Sequence, residues 1–177
     1  MDEIKRIKRT LIAKGSIIDY YHDTMQIPNG NVATWDFIGH KGAAAVVPVT
    51  ADGKILMVRQ YRNALDRYTL EIPAGGLNPG EDTKTASARE LEEETGFRSE
   101  NLEFLISVNT TVAFCNEKID IYVAKDLIPS KQHLDEDEYI DVKEMDIDTL
   151  CEMIYSAQIM DGKTISAILA YKNKYVK

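Results

Sequence analysis

Three closely spaced glutamates, Glu90, Glu93 and Glu94, are the residues whose type and spacing most directly suggest chemistry in this chain. On an α-helix each residue advances by about 100°, which places Glu94 about 40° to one side of Glu90 and Glu93 about 60° to the other. Glu92 falls on the opposite face. Carboxylates sharing a patch repel one another, and a hard divalent cation such as Mg²⁺ takes oxygen ligands and would remove that repulsion. The spacing is compatible with a metal site, although three glutamates alone also fit a solvated acidic helix.

The residues around the glutamates predict a loop followed by a helix. Asn78-Pro79-Gly80 is a turn signal, and Asp82 can accept the first free backbone N–H groups of a helix. Gly96 stands where a left-handed residue ends a helix. Gly75 and Gly76 allow the backbone of the loop to approach a neighbouring group closely.

These features belong to one longer pattern. Gly75 is followed by five residues and Glu81, then by seven residues and the run Arg89-Glu90-Leu91-Glu92-Glu93-Glu94-Thr95-Gly96-Phe97. The stretch Gly75–Phe97 resembles the Nudix box at every defined position, which favours a metal-dependent hydrolase over a solvated acidic helix.

Short apolar stretches on both sides of this pattern predict a mixed α/β domain. Strands are predicted at 43–50, 55–62, 68–73, 102–112 and 118–124, and helices at 146–159 and 163–176. The Asp52-Gly53 pair predicts a hairpin between the first two of these strands. Residues 3–15, 16–25 and 32–40 fit an N-terminal antiparallel ribbon. We therefore expect a ribbon at 1–41 and a catalytic domain at 42–177.

Composition excludes several classes of protein. The net charge of −8 argues against a nucleic-acid surface. Apolar runs stay well short of the ~20 residues of a membrane span, and the charged N-terminus lacks the apolar core of a signal peptide, so we expect a cytoplasmic protein. Cys115 and Cys151 lack metal-ligand spacing and are expected to be free thiols. A bound metal would also reverse the local sign at an acidic site for an anionic substrate.

The flanks of the box are similar to the ADP-ribose pyrophosphatase branch of the Nudix hydrolases. The matching stretches are Val58–Arg62, Glu71–Gly75, Asn116–Ile119, Leu134–Ile140 and Asp161–Thr164. The resemblance implies an α/β/α sandwich around a mixed β-sheet, and an N-terminal β-ribbon exchanged between the subunits of a homodimer.

The resemblance also implies roles for individual residues. The implied metal ligands are Glu90, Glu94, Glu93, the backbone carbonyl of Ala74, and Glu138, with Mg²⁺ as the cofactor and Mn²⁺ as a substitute. Glu136 matches the proposed general base, and Glu138 is its rival. Arg89 and Glu93 would assist catalysis at the carboxylates, and Glu81 would tie the loop to the helix.

Substrate contacts are suggested by one match and two residue types. Arg62 matches a phosphate-contacting arginine, and Arg59 belongs to the same basic cluster, where arginine can bind phosphate oxygens through a two-point fork. Solvated strand ends would also explain this cluster. Trp35 is a candidate for stacking on a base, but an ordinary packing role fits its type equally well.

One departure from the resembled branch concerns the substrate. Its members usually carry a Ser-Pro-Gly-Phe-like turn after the box, whereas this chain has Thr111-Val112-Ala113-Phe114. The expected reaction is Mg²⁺-dependent hydrolysis of a nucleoside diphosphate sugar, with ADP-ribose, giving AMP and ribose 5-phosphate, as the first choice. The alternatives are another nucleotide sugar, such as GDP-mannose or ADP-glucose, and a non-catalytic nucleotide sensor.

Overall fold

The computed structural model describes residues 3–136 and 138–176. The strands are β1 (Lys5–Lys14), β2 (Asp19–Gln26), β3 (Val32–Gly39), β4 (Ala43–Pro48), β5 (Ile55–Arg62), β6 (Arg67–Glu71), β7 (Ala74–Gly76), β8 (Phe97–Arg98), β9 (Asn101–Asn109), β10 (Lys118–Lys125), β11 (Ile128–Pro129) and β12 (Asp141–Met145). The helices are α1 (Thr83–Thr95), α2 (Ile147–Tyr155) and α3 (Gly162–Tyr175). The predicted strands and helices are all present, with ends that differ by a few residues.

The N-terminal strands form their own antiparallel sheet in the order β1-β2-β3. This confirms the predicted N-terminal antiparallel ribbon, here with three strands. Together with 109–118, the residues up to 42 make one compact unit. Several large apolar side chains of this sheet are exposed in the single chain, among them Ile7, Leu11 and Val32.

The second unit comprises 43–108 and 119–177 and contains the mixed sheet. Strand β4 runs parallel to β10 and antiparallel to β7, giving the order β7-β4-β10-β9. A separate antiparallel sheet has the order β12-β5-β6. Parallel pairing needs a crossover, and the chain between β4 and β10 includes α1.

Alternation along the strands divides the core into two layers. Val47 and Val123 pack in one cluster with residues of α2 and α3, whereas Val46 and Ala124 pack in another with Leu91 of α1. Successive side chains of a strand point to opposite faces, so helices cover the sheet on both sides. The predicted α/β/α sandwich around a mixed β-sheet is confirmed.

The predicted hairpin between β4 and β5 is only partly right. The turn forms, with Thr50 and Lys54 closing it and Gly53 at a φ of +84°. Beyond the turn, the strands pair only through the Val49–Ile55 bridge and then enter different sheets. Asp-Gly specifies a local turn, whereas the strands take other partners, which no local signal encodes.

The two cysteines are free thiols in the structure, as expected, with Cys151 buried. None of the helices in the described part of the chain is long and apolar enough to cross a membrane.

Candidate active site

Helix α1 begins and ends where the sequence predicts. The Asp82 side chain accepts the backbone N–H groups of Lys84 and Thr85, both at 3.0 Å. Gly96 follows the helix with a φ of +73°, the left-handed conformation that glycine adopts without strain. These caps fix the register of the glutamates between them.

Arg89 is the centre of the polar contacts at the box. Its Nε and Nη2 donate to the two carboxylate oxygens of Glu81 at 2.9 and 3.0 Å. Its Nη1 donates to Glu90 at 2.6 Å and to Glu93 at 2.8 Å, and Nη2 reaches the carbonyl oxygen of Gly76 at 3.1 Å. The hydrogen bonds that Arg89 donates to Glu81 outweigh the effect of burial and raise the pKa of Arg89. Arg89 therefore joins the loop to the helix and orients two of the three glutamates.

Glu90 and Glu94 are buried, with only 7% and 3% of their surfaces exposed. Burial raises the pKa of Glu90 to about 7 against the opposing effect of Arg89, and raises the pKa of Glu94 to about 8 with a further contribution from the charge of Glu90. Removing a carboxylate from water disfavours its charged form unless a cation compensates it. Glu93 is only partly buried, and Glu92 accepts a hydrogen bond from Ser130.

Strand β7, which precedes the helix, lies against these two carboxylates. The backbone N–H of Ala74 donates to Glu94 Oε2 at 3.0 Å. A Cβ placed on Gly75 would lie 2.0 Å from Glu90 Oε1, so a larger residue here would force this carboxylate to move. This is the close backbone approach expected for Gly75. At Gly76 an added Cβ would meet nothing within 4 Å.

The donor chemistry of this site fits a hard divalent cation. Two buried carboxylates lie against the Ala74 backbone with their negative charge incompletely compensated, and oxygen atoms of this kind are the ligands of Mg²⁺. The predicted trio is not an assembled cage, however, because Arg89 occupies Glu93 and one oxygen of Glu90. Within 3–136 and 138–176, no three His, Cys, Asp or Glu side chains form a ready-made metal group.

The acidic segment is anchored to the C-terminal end of α1. Gln132 Nε2 donates to the carbonyl oxygen of Glu94 at 2.7 Å, and the His133 N–H donates to that of Glu93 at 3.0 Å. Glu136 is exposed in a turn that Glu138 closes by donating its N–H to Asp135. Asp137, between them, lies outside the described residues.

The two candidate bases differ in their relation to the buried pair. The charge of Glu138 is close enough to raise the pKa of both Glu90 and Glu94. Glu136 is exposed in its turn. The role of Glu138 as a metal ligand stays a prediction.

The two predicted substrate arginines face opposite sides of β5. Arg62 Nε and Nη2 donate to the two carboxylate oxygens of Glu71 at 2.8 and 2.7 Å. Arg59 instead lies over the ring of Tyr68, with Cζ 3.9 Å from the ring centroid, and its Nη1 is 3.6 Å from Asp141. Residues three apart in a strand point in opposite directions, so the structure does not bring these arginines together.

Trp35 belongs to the N-terminal unit, in β3, and 44% of its surface is exposed. The divergent turn lies in the same unit, where the Phe114 carbonyl oxygen accepts the Ile38 N–H at 2.7 Å. The turn that replaces the Pro-Gly sequence is thus held by β3.

A model described as the NUDIX domain matches residues 39–165. This chain belongs to the Nudix family. The resemblance of the box and its flanks is thereby confirmed, as is the predicted enzyme class, a Nudix pyrophosphohydrolase. Nudix hydrolases generally use divalent metal ions.

Two relatives are similar to this Nudix chain along nearly its whole length. The methanol dehydrogenase activator of Bacillus methanolicus is 41% identical over 94% of this chain and 91% of its own length. The ADP-ribose pyrophosphatase of Bacillus subtilis (strain 168) is 38% identical over the same shares of the two chains. A crystal structure of an ADP compounds hydrolase matches with a TM-score of 0.86 over 98% of this chain and 94% of the other, at 21% identity, which supports the Nudix fold alone.

Sequence reasoning missed three contacts of the Nudix site. Glu71 holds Arg62, and Gln132 and His133 dock the acidic segment onto α1. Glu71 lies in the stretch Glu71–Gly75, which resembles the ADP-ribose pyrophosphatase branch. That resemblance indicated a functional position but did not indicate which residue Glu71 contacts. The docking residues carry no such signal, because each bonds a backbone carbonyl that any sequence provides.

Proposed function

We propose that this protein hydrolyses the pyrophosphate bond of a nucleoside diphosphate sugar, with ADP-ribose as the first candidate and AMP and ribose 5-phosphate as products. The observation that carries the proposal is the buried pair Glu90 and Glu94, whose charge is incompletely compensated beside a backbone held by Arg89. The ADP-ribose pyrophosphatase relative supports the choice of substrate.

The proposed metal ligands are those that the box resemblance implies: Glu90, Glu94, the carbonyl of Ala74, Glu93 and Glu138. Mg²⁺, or Mn²⁺ in its place, would supply positive charge to the diphosphate and lower the pKa of water. Release of Glu93 from Arg89 is required for it to join the set, so we give Glu90 and Glu94 the primary role.

The remaining roles belong to side chains around the buried pair. Glu136 accepts the proton of the attacking water as the water oxygen bonds to one phosphorus. At the same time the bridging P–O bond breaks, and the leaving phosphate keeps the bond electrons. Arg62 contacts a phosphate oxygen. Arg89 acts as a positioning residue, because its donors are engaged by Glu81, Glu90 and Glu93. Arg59 and Trp35 stay predicted substrate contacts.

The working state we propose is a homodimer formed through the ribbon at 1–41, with the catalytic domain at 42–177, in the cytoplasm. The apolar side chains exposed on β1 and β3 support the dimer, because exposed apolar surface promotes association.

A panel of nucleotide sugars tests the proposed reaction. The protein is incubated with Mg²⁺ and ADP-ribose, ADP-glucose or GDP-mannose, and the products are identified by mass. We expect the highest kcat/KM for ADP-ribose. A preference for GDP-mannose would change the substrate and keep the reaction, whereas no hydrolysis of any member by folded protein would overturn the proposal.

A second candidate is activation of a dehydrogenase, favoured by the 41% identity to the methanol dehydrogenase activator. The two functions separate experimentally. An activator that depends on the hydrolytic site would lose its effect in Glu94→Gln, whereas one acting by contact alone would keep it.

A further inference from the structure

Glu71 occupies the centre of a buried charge cluster beside the site. Only 2% of its surface is exposed, yet both carboxylate oxygens are fully engaged. Arg62 donates to each oxygen, Thr69 Oγ1 donates to Oε1 at 2.6 Å, and Lys163 Nζ donates to Oε2. A buried carboxylate is retained only when cations and hydrogen bonds compensate it, and Glu71 has two cations and four hydrogen bonds.

The cluster extends to the start of α3. Lys163 Nζ also donates to Asp161 Oδ2 at 2.9 Å, and Asp161 caps the helix by accepting the N–H and hydroxyl of Thr164. The same Thr164 hydroxyl accepts the Ile72 N–H at 3.0 Å. Two anions and two cations thus join β5, β6 and α3, which gives the cluster a fixed geometry.

Glu71 is ionised over the whole working range of an enzyme. Burial alone would raise the pKa of Glu71, but the hydrogen bonds and charges of Arg62 and Lys163 outweigh it and lower the pKa to about 2. The Arg62 guanidinium is therefore held by a permanent carboxylate through its Nε and Nη2 edge.

The other end of that guanidinium, Nη1, is not engaged by Glu71. The hydrogen bonds to Glu71 and, less strongly, the charge of Glu94 raise the pKa of Arg62. Nη1 donates no hydrogen bond to any described residue, and 41% of the Arg62 side chain is exposed. An arginine fixed at one edge and open at the other is preorganised to receive a second anion.

We propose that Glu71 is a positioning residue for substrate binding: with Lys163 it fixes the Arg62 guanidinium so that the Nη1 end receives a phosphate oxygen of the diphosphate. This inference deepens the proposed function and rests on it. Substrate binding, rather than the chemical step, is what Glu71 controls.

The first test is Glu71→Gln, assayed on the best substrate of the nucleotide-sugar panel. The amide would set an N–H group against the donors of Arg62 or Lys163, which releases the fork. Misplacement of a positioning group by about 1 Å can cost on the order of 10²-fold, and we expect KM to rise at least tenfold. A contact made equally in the ground and transition states changes KM and leaves kcat nearly constant.

A double-mutant cycle distinguishes positioning from a structural role. If Glu71 acts through Arg62, Glu71→Gln should change KM by less than about twofold in an Arg62→Ala background, because the two residues form one unit. An unchanged tenfold effect in that background would overturn the proposal. Thr164→Val is the structural control: it removes two hydrogen bonds at the same helix start, with Asp161 and Ile72, without touching Glu71 or Arg62, and should lower Tm without raising KM.

Arg62→Lys keeps the inference testable if Glu71→Gln does not fold. Lysine retains the charge at a half-exposed position and cannot form the two-point fork. We expect KM to rise as in Glu71→Gln, and a wild-type KM would overturn the proposal. If the wild type hydrolyses a substrate of the panel and these variants keep its KM, this inference alone is rejected. If the wild type is inactive on the whole panel, this inference and the proposed function are rejected together.

Discussion

The charge states of Glu90 and Glu94 govern the site at the scale of single residues. Each is buried more deeply than an uncompensated carboxylate tolerates, and burial raises the pKa of both. Arg89 compensates Glu90 in part, whereas Glu94 accepts only the Ala74 N–H among the described hydrogen bonds. Glu94 is therefore the better residue on which to test the electrostatics.

The pKa of Glu94 predicts how the metal-free protein responds to pH. In the folded state this pKa is about 8 against an ordinary 4.5, so the folded chain holds a proton that the unfolded chain has lost. The free energy of unfolding should fall as pH rises from 4.5 to about 8, because folding in this range takes up a proton. Glu94→Gln removes the contribution of Glu94 to that dependence, whereas Glu90 keeps its own, and its Tm with EDTA should exceed the wild-type Tm at pH 8 but not at pH 5.

Glu92→Gln is the matched control for this measurement. It removes a charge from the same helix on the opposite face, and its Tm should follow the wild-type dependence on pH. An identical pH dependence of Tm in Glu94→Gln and wild type would show that Glu94 is not the titrating group.

The general base is a second question at this scale. If Glu136 takes the proton of the water, Glu136→Gln should lower kcat by ~10²–10⁴-fold, the range for loss of a general base. KM should change little, because that interaction belongs to the transition state. Glu138→Gln should instead raise the Mg²⁺ concentration needed for half-maximal rate, since Glu138 acts on the buried pair.

Assays of both variants over a Mg²⁺ titration separate the roles. Full turnover in Glu136→Gln, together with lost turnover in Glu138→Gln at saturating Mg²⁺, would assign the base to Glu138.

At the scale of elements, the site depends on how closely strand β7 approaches α1. Gly75→Ala places a Cβ 2.0 Å from Glu90 Oε1, which is too close for any contact, so the carboxylate must move. That movement disturbs the hydrogen bond from Arg89 to Glu90. A displacement of this size can cost on the order of 10²-fold in activity. We expect Gly75→Ala to lose activity on this scale, measured as kcat/KM.

Gly76→Ala provides the control one residue away. Its Cβ would meet nothing within 4 Å, so activity should stay near wild type. Equal activity in both variants would contradict the account of the loop.

Elements set by local signals were predictable from the sequence, and contacts across elements were not. Asp82 and Gly96 mark the two ends of α1 through contacts with residues a few positions away in the sequence. Residue spacing reveals contacts of this kind. The Glu71 cluster joins residues 92 positions apart, and the separation of β4 from β5 depends on the partners in each sheet. The sequence also predicted mutual repulsion of the glutamates without showing that Arg89 already bridges two of them.

For the whole molecule, the large apolar side chains exposed on the N-terminal sheet predict a two-fold dimer. Ile7, Leu11 and Val32 are each about half exposed or more in the single chain, a costly arrangement unless another surface covers them. Light scattering at micromolar concentration should give twice the formula mass of 20.0 kDa. A fully active species at the formula mass would contradict the dimer.

The most direct test of the account as a whole compares turnover in two matched variants of α1. Glu94→Gln and Glu92→Gln each remove one negative charge from the same helix, but only Glu94 is buried beside Ala74. The rate of AMP release from ADP-ribose is measured across a Mg²⁺ titration. We predict that Glu94→Gln loses most activity at every Mg²⁺ concentration while Glu92→Gln matches wild type, and turnover near wild type in Glu94→Gln would contradict the assignment of the site.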